Sequence, residues 1–147
     1  MINFTNYIFF YKREIKNIGI KKIIRFLLVG IVNAISGYTL IILFYSFLNF
    51  HFYLANFIGY LFGLIISFIL NKNFVFKAKG KIIGQFQKFI FSFFLSYFLN
   101  IFVFYICSEF TNLNYYLALL IASCFYSTSF FILCNFFTFK KKFSNNF

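Results

Sequence analysis

RFLLVGIVNAISGYTLIILFYSFLNF, Arg25 to Phe50, is followed by His51 and then by FYLANFIGYLFGLIISFILNKNFVFK, Phe52 to Lys77. No Lys, Arg, Asp or Glu lies between Phe26 and Leu70. Only a polar corner, Asn49 to His51, breaks the run. One bilayer-spanning helix takes about 20 apolar residues. The stretch therefore predicts two spans joined by a tight turn, a transmembrane helical hairpin. A lead-in precedes it, and a second hairpin and a short tail follow.

Composition supports this. The 147 residues are 63% hydrophobic and contain no Pro. A soluble domain carries about 25% charged residues; this chain carries 11%. Helices apolar on every side belong in a membrane or a very large core. The expected class is an all-α polytopic membrane protein with helices at about Phe26 to Leu48, Phe52 to Leu70, Phe86 to Cys107 and Tyr115 to Phe139. Residues 1-24 form a basic lead-in, residues 25-140 the transmembrane domain and residues 141-147 a basic tail. The lead-in from Tyr7 to Ile24 mixes Ile and Phe with Lys12, Arg13, Lys16, Lys21 and Lys22. It reads equally as an amphipathic helix on an anionic leaflet or as a solvated tail. Its apolar part precedes its basic part, the reverse of a signal peptide, so no cleavage is expected.

The net charge of +12 does not call for nucleic acid. All fourteen basic residues lie in the lead-in up to Arg25, in the connection from Lys72 to Lys88, or in the tail from Lys140. The turns at His51 and Glu109 have none. By the positive-inside rule, both termini and the middle connection face the cytoplasm.

The halves repeat. Arg25-Phe26 returns as Lys88-Phe89, Tyr53-Leu54-Ala55 as Tyr116-Leu117-Ala118, and Phe76-Lys77 as Phe139-Lys140, each 63 residues on. Two helices bring the chain back to its starting side, so the hairpins form a parallel repeat about the membrane normal.

Small and polar residues mark the faces suited to helix packing. They are Gly30, Asn33, Ala34 and Gly37 in the first helix and Asn56, Gly59, Tyr60, Gly63 and Ser67 in the second. The third has Ser92, Ser96 and Asn100, and the fourth Ala118, Ala122, Ser123 and Ser127. Polar groups inside a membrane often mark function. Asn33 and Asn100 are read two ways, as a polar substrate path or as interhelical hydrogen bonds. At the inner helix ends Arg25, Lys72, Lys88 and Lys140 offer donors to a phosphate head group. They also read as topology signals. Within the spans there is no carboxylate to couple transport to protons or sodium. No catalytic pair, metal cluster or phosphate loop is visible, so neither enzyme activity nor a cofactor is expected. Cys107, Cys124 and Cys134 are read as small packing residues.

RFLLVG at Arg25 to Gly30, with Asn33, resembles the opening of the GtrA-like family. So does LANFIGYLFGLIISFILNKNFVFK at Leu54 to Lys77, above all Ala55, Asn56, Ser67, Phe68 and the Asn71-Lys72-x-Phe74-x-Phe76 ending. The second half matches at Lys88-Phe89, Phe137 and Phe139. It departs at Cys134-Asn135-Phe136-Phe137, where the family has Asn, a basic residue, any residue and an aromatic. The resemblance implies a small four-helix membrane protein of cell-surface polysaccharide synthesis. Such proteins move polyprenyl-phosphate-linked sugars across the inner membrane, or serve a polyprenyl-phosphate glycosyltransferase as membrane domain or partner. On that reading Arg25, Lys72 and Lys88 hold the phosphate, and Asn33, Asn56, Asn71 and Asn100 line the sugar's path. The prenyl tail stays in membrane lipid, and a homodimer is expected because four helices enclose little room.

Overall fold

A computed structural model describes residues 19–111 and 113–140. The expected lead-in helix falls mostly, and the tail beyond Lys140 wholly, outside the described residues. All regular structure among the described residues is helical. Four helices are long and apolar enough to cross a membrane. They are α1 (Ile20–Ile42), α2 (Phe52–Leu70), α3 (Ile82–Phe110) and α4 (Tyr115–Leu133). In hydrocarbon every backbone polar group must be satisfied internally, which long helices achieve and loops do not.

The chain forms two units, Met1–Lys77 and Ala78–Phe147. In the first, α1 packs on α2; in the second, α3 packs on α4. We call these hairpin 1 and hairpin 2.

Three helices continue into a wider π turn: α1 through Leu43–Phe47, α2 through Asn71–Val75 and α4 through Cys134–Thr138. Each closes with a bond five residues back: Leu48 N to Leu43 O at 3.2 Å, Phe76 N to Asn71 O at 2.9 Å, and Phe139 N to Cys134 O at 2.9 Å. The last two turns lie 63 residues apart, so the repeat extends to backbone geometry. These exits fold back on the partner helix of their own hairpin. The polar-looking stretch after Leu70 is therefore still helix, and Lys72 stands on it rather than in a loop.

The helices begin and end differently from their apolar cores. α1 starts at Ile20 and α3 at Ile82, not at Phe26 and Phe86. Lys and Arg side chains can lay their stems along apolar surface and keep the charge in the headgroup layer, so charge does not end a helix here. α3 runs through Glu109 to Phe110, so Glu109 sits in its last turn rather than in the loop.

At the corner of hairpin 1, Asn49 takes the left-handed conformation (φ 53°) that ends many helices. His51 is exposed and stacks on Tyr53 at 5.4 Å. In hairpin 2 the Asn114 side chain accepts from Tyr116 N at 3.2 Å, capping α4. Tyr45, Tyr53, Tyr105, Tyr115 and Tyr116 are exposed around these corners, where tyrosines suit a membrane–water boundary.

Candidate functional site

The seam of hairpin 1 begins with two glycines. A Cβ on Gly59 would collide with Ile41 and lie 3.3 Å from the Gly37 carbonyl oxygen. The α1 and α2 backbones therefore approach as closely as glycine allows, the usual device for helix pairing in lipid. One turn further along, a Cβ on Gly63 would lie 3.4 Å from Asn33 Oδ1. Gly63 thus leaves the room that the Asn33 amide occupies.

The helices are antiparallel, so spacing extends this register. Val29 comes level with Ser67, and one turn on Arg25 comes level with Asn71. Phe26, Val29, Gly63, Phe68 and Asn71 are buried. The packing stripe of α1 is thus Phe26, Val29, Asn33 and Gly37. Gly30 and Ala34, expected on that stripe, are exposed, and nothing lies within 4 Å of a Cβ added to Gly30.

Asn71 is 1% exposed. Its Nδ2 donates to Ser67 O at 2.8 Å and reaches Ser67 Oγ at 3.3 Å. Its Oδ1 is buried without a partner, as is Asn33 Oδ1. A buried unsatisfied acceptor costs about 1–3 kcal/mol, so two in one seam need an explanation.

At the end of the seam Arg25 lies over the Phe74 ring at 5.3 Å and Lys22 over Phe76 at 4.7 Å. Stacking uses the flat face of the guanidinium and leaves its edge donors for an anion. Lys72 is half-buried on the same exit turn. Asn56 bonds its own helix, Nδ2 to Phe52 O at 2.9 Å.

Hairpin 2 repeats the frame with different contents. Lys88 lies over Phe137 at 5.3 Å, 63 residues on from Arg25 over Phe74. Ala118 and Ala122 are fully buried where hairpin 1 has Ala55 and Gly59. Where hairpin 1 has Gly63 and Ser67, however, hairpin 2 has Tyr126 and Phe130, stacked at 5.8 Å. Phe89, fully buried, packs edge-on to Phe130 at 5.2 Å, and Phe93 meets Tyr126 and Phe130 at 6.3 Å. Ser92 Oγ bonds Thr138 Oγ1 at 2.9 Å. Ser96, the counterpart of Asn33, keeps a buried hydroxyl without a partner. Asn100 is half-buried on α3.

The structure thus brings Arg25, Asn33 and Asn71 onto one seam with Gly63 and Ser67. Lys88 and Asn100 belong to the other hairpin. Sequence reading missed Phe74 and Phe137 as partners of the cations, although the 63-residue repeat carries both pairs. It also missed that Gly63 seats Asn33, which needs the register between helices.

Comparison with known proteins gives one family match: the model for the GtrA/DPMS transmembrane domain matches residues 25–139. No curated protein matches the chain.

Proposed function

Because this chain belongs to the GtrA/DPMS transmembrane-domain family, we propose that it is a non-catalytic translocase for polyprenyl-phosphate-linked sugar, serving cell-surface polysaccharide synthesis at the inner membrane. The observation that carries this reading is the seam of hairpin 1. It holds buried amide oxygens without partners at Asn33 and Asn71 and ends at cations held on aromatic rings. The lipid's phosphate docks at Arg25 and Lys72, with Lys88 in the equivalent place on hairpin 2. The sugar passes Asn71 and Asn33, with Asn56 and Asn100 as further polar positions. The prenyl tail remains in lipid. No Asp or Glu lies in the apolar core of any span, so transport runs downhill, driven by consumption of the sugar outside.

The test is flipping of a polyprenyl-phosphate hexose by purified protein in lipid vesicles. Arg25→Ala combined with Asn33→Leu is expected to lower the rate to that of protein-free vesicles; wild-type rates would refute the site. On this reading both termini and the connection near Gly80 face the cytoplasm. A reporter fused to either terminus that is active only in the periplasm refutes that orientation. A homodimer is expected by native mass spectrometry in lipid.

A second reading makes the protein a scaffold for a polyprenyl-phosphate glycosyltransferase. The exposed Lys77, Lys79 and Lys81 between the hairpins favour it. Charge reversal there should abolish capture of the enzyme if docking is the role, and should leave flipping intact if transport is.

A further inference from the structure

We infer that hairpin 1 selects its cargo by hydrogen-bond donors: its seam takes an uncharged, hydroxyl-bearing sugar and turns away one carrying a carboxylate. This rests on the translocase reading above and adds to it the chemistry of the sugar.

Asn71 supplies the geometry. Its nitrogen donates to the Ser67 carbonyl at 2.8 Å, and a carbonyl can only accept. The orientation of the amide is thereby fixed, with nitrogen toward α2 and oxygen away from that bond. The oxygen is buried and unpartnered in a side chain 1% exposed. A second unpartnered oxygen, Asn33 Oδ1, is seated against Gly63. The seam therefore presents two acceptors without partners, that of Asn71 in an orientation its own hydrogen bond fixes, and what completes them must bring donors. Sugar hydroxyls do so.

A carboxylate at neutral pH has no proton to give. Set against an amide oxygen in a low-dielectric seam, it meets like partial charge and loses its hydration without compensation. The lipid's own phosphate is excluded for the same reason and stays with Arg25. Donor and acceptor roles are thus divided along one seam, cationic donors at the mouth and amide acceptors within.

The experiment compares three lipids in vesicles holding the full-length wild-type protein: a polyprenyl-phosphate hexose, the matching hexuronic acid and a deoxyfluoro hexose. The fluorinated sugar is uncharged and similar in size, but cannot donate where fluorine replaces hydroxyl. Arrival at the far leaflet is read with a membrane-impermeant oxidant, after subtracting protein-free vesicles. The hexose is expected to move ~100-fold faster than the uronic acid and at least ~10-fold faster than the fluorinated sugar, the scale of leaving a buried acceptor without its donor. Equal rates for hexose and fluorinated sugar overturn the inference and leave translocation standing. If no lipid moves faster than in empty vesicles, the translocase reading falls and takes this one with it. Asn71→Leu should shrink the preference for hexose over the fluorinated sugar to within ~3-fold, whatever its absolute rate, since one of two acceptors is gone. Full preference in that variant overturns the role given to Asn71.

Discussion

The two hairpins are the same frame filled in two ways. Positions 63 residues apart are buried together: Phe26 and Phe89, Val29 and Ser92, Ala55 and Ala118, Phe68 and Phe131, Asn71 and Cys134, Val75 and Thr138, Phe76 and Phe139. Both exits widen into a π turn and hold a cation over a ring. The fillings differ where the helices face each other. Hairpin 1 sets Gly63 and Ser67 beside Asn33 and Asn71; hairpin 2 sets Tyr126 and Phe130 beside Ser96 and Cys134. A frame that survives this change does not need an amide at either place to form. The two amides of hairpin 1 therefore ask for an explanation beyond folding, whereas two of the hydroxyls that hairpin 2 buries, Ser92 and Thr138, bond each other.

The largest expected effect is on stability and should be lopsided. Phe89 is fully buried and touches Phe130 and Phe139. Phe89→Ala should cost about 3–5 kcal/mol, the usual range for emptying an aromatic core position. Phe26→Ala, the matching change in hairpin 1, should cost less, because that residue is 8% exposed where Phe89 is fully buried. Unfolding in mixed micelles measures both. Equal losses would mean that the halves do not differ in packing.

Next comes an exchange of contents. Gly63→Tyr places in hairpin 1 the residue that hairpin 2 carries at Tyr126. The ring would displace the Asn33 amide, and transport should fall ~100-fold, the scale of losing one buried hydrogen bond to the cargo. Tyr126→Gly removes a ring stacked on Phe130. It should destabilise hairpin 2 by about 3 kcal/mol or more yet leave transport per folded molecule close to wild type. Flipping rates normalised to folded protein decide it. The reverse outcome would assign the cargo to hairpin 2.

Much of the frame was legible in the sequence. Uncharged runs, basic connections and the 63-residue repeat follow from the energetics of hydrocarbon, which apply residue by residue. The exits were not legible. NKNFVFK loses hydropathy at Asn71 and Lys72, so it reads as loop, but the helix continues and widens because its carbonyls still need partners at that depth. The site was legible in part. Asn33 and Asn71 stand out as polar residues in apolar runs, and so do Asn56 and Asn100. Sequence cannot tell that Asn56 spends its amide on Phe52 of its own helix, or that Gly63 lies opposite Asn33. Both facts depend on rotamer and register.

A smaller effect separates the two cations. Arg25 and Lys88 make the same contact with a ring, but only Arg25 lies level with an unsatisfied amide oxygen. Arg25→Ala should slow flipping ~10-fold, the scale of one charged hydrogen bond. Lys88→Ala should change it less than ~3-fold on the same scale. Arg25→Lys should recover only part of the rate, since a point charge replaces a planar fork. Equal effects at 25 and 88 would show that both mouths bind phosphate.

The smallest effect concerns a side-chain bond between the two helices of hairpin 2. Ser92 and Thr138 bond at 2.9 Å where hairpin 1 has Val29 and Val75, both buried. Side-chain bonds between helices in membranes average about 0.6 kcal/mol. Thr138→Val alone strands the Ser92 hydroxyl, and Ser92→Ala alone strands that of Thr138, though Thr138 Oγ1 keeps a longer contact of 3.4 Å to Lys88 O. Ser92→Ala should therefore cost less than Thr138→Val. The double variant, which restores the apolar pairing of hairpin 1, should cost less than the two singles summed, with a coupling of about 0.6 kcal/mol. A coupling near zero would mean that lipid-facing packing alone sets this end of the hairpin. The bond would then be a consequence of the frame, and the repeat would owe its closure to the π turn and to the buried Phe76 and Phe139 that follow it.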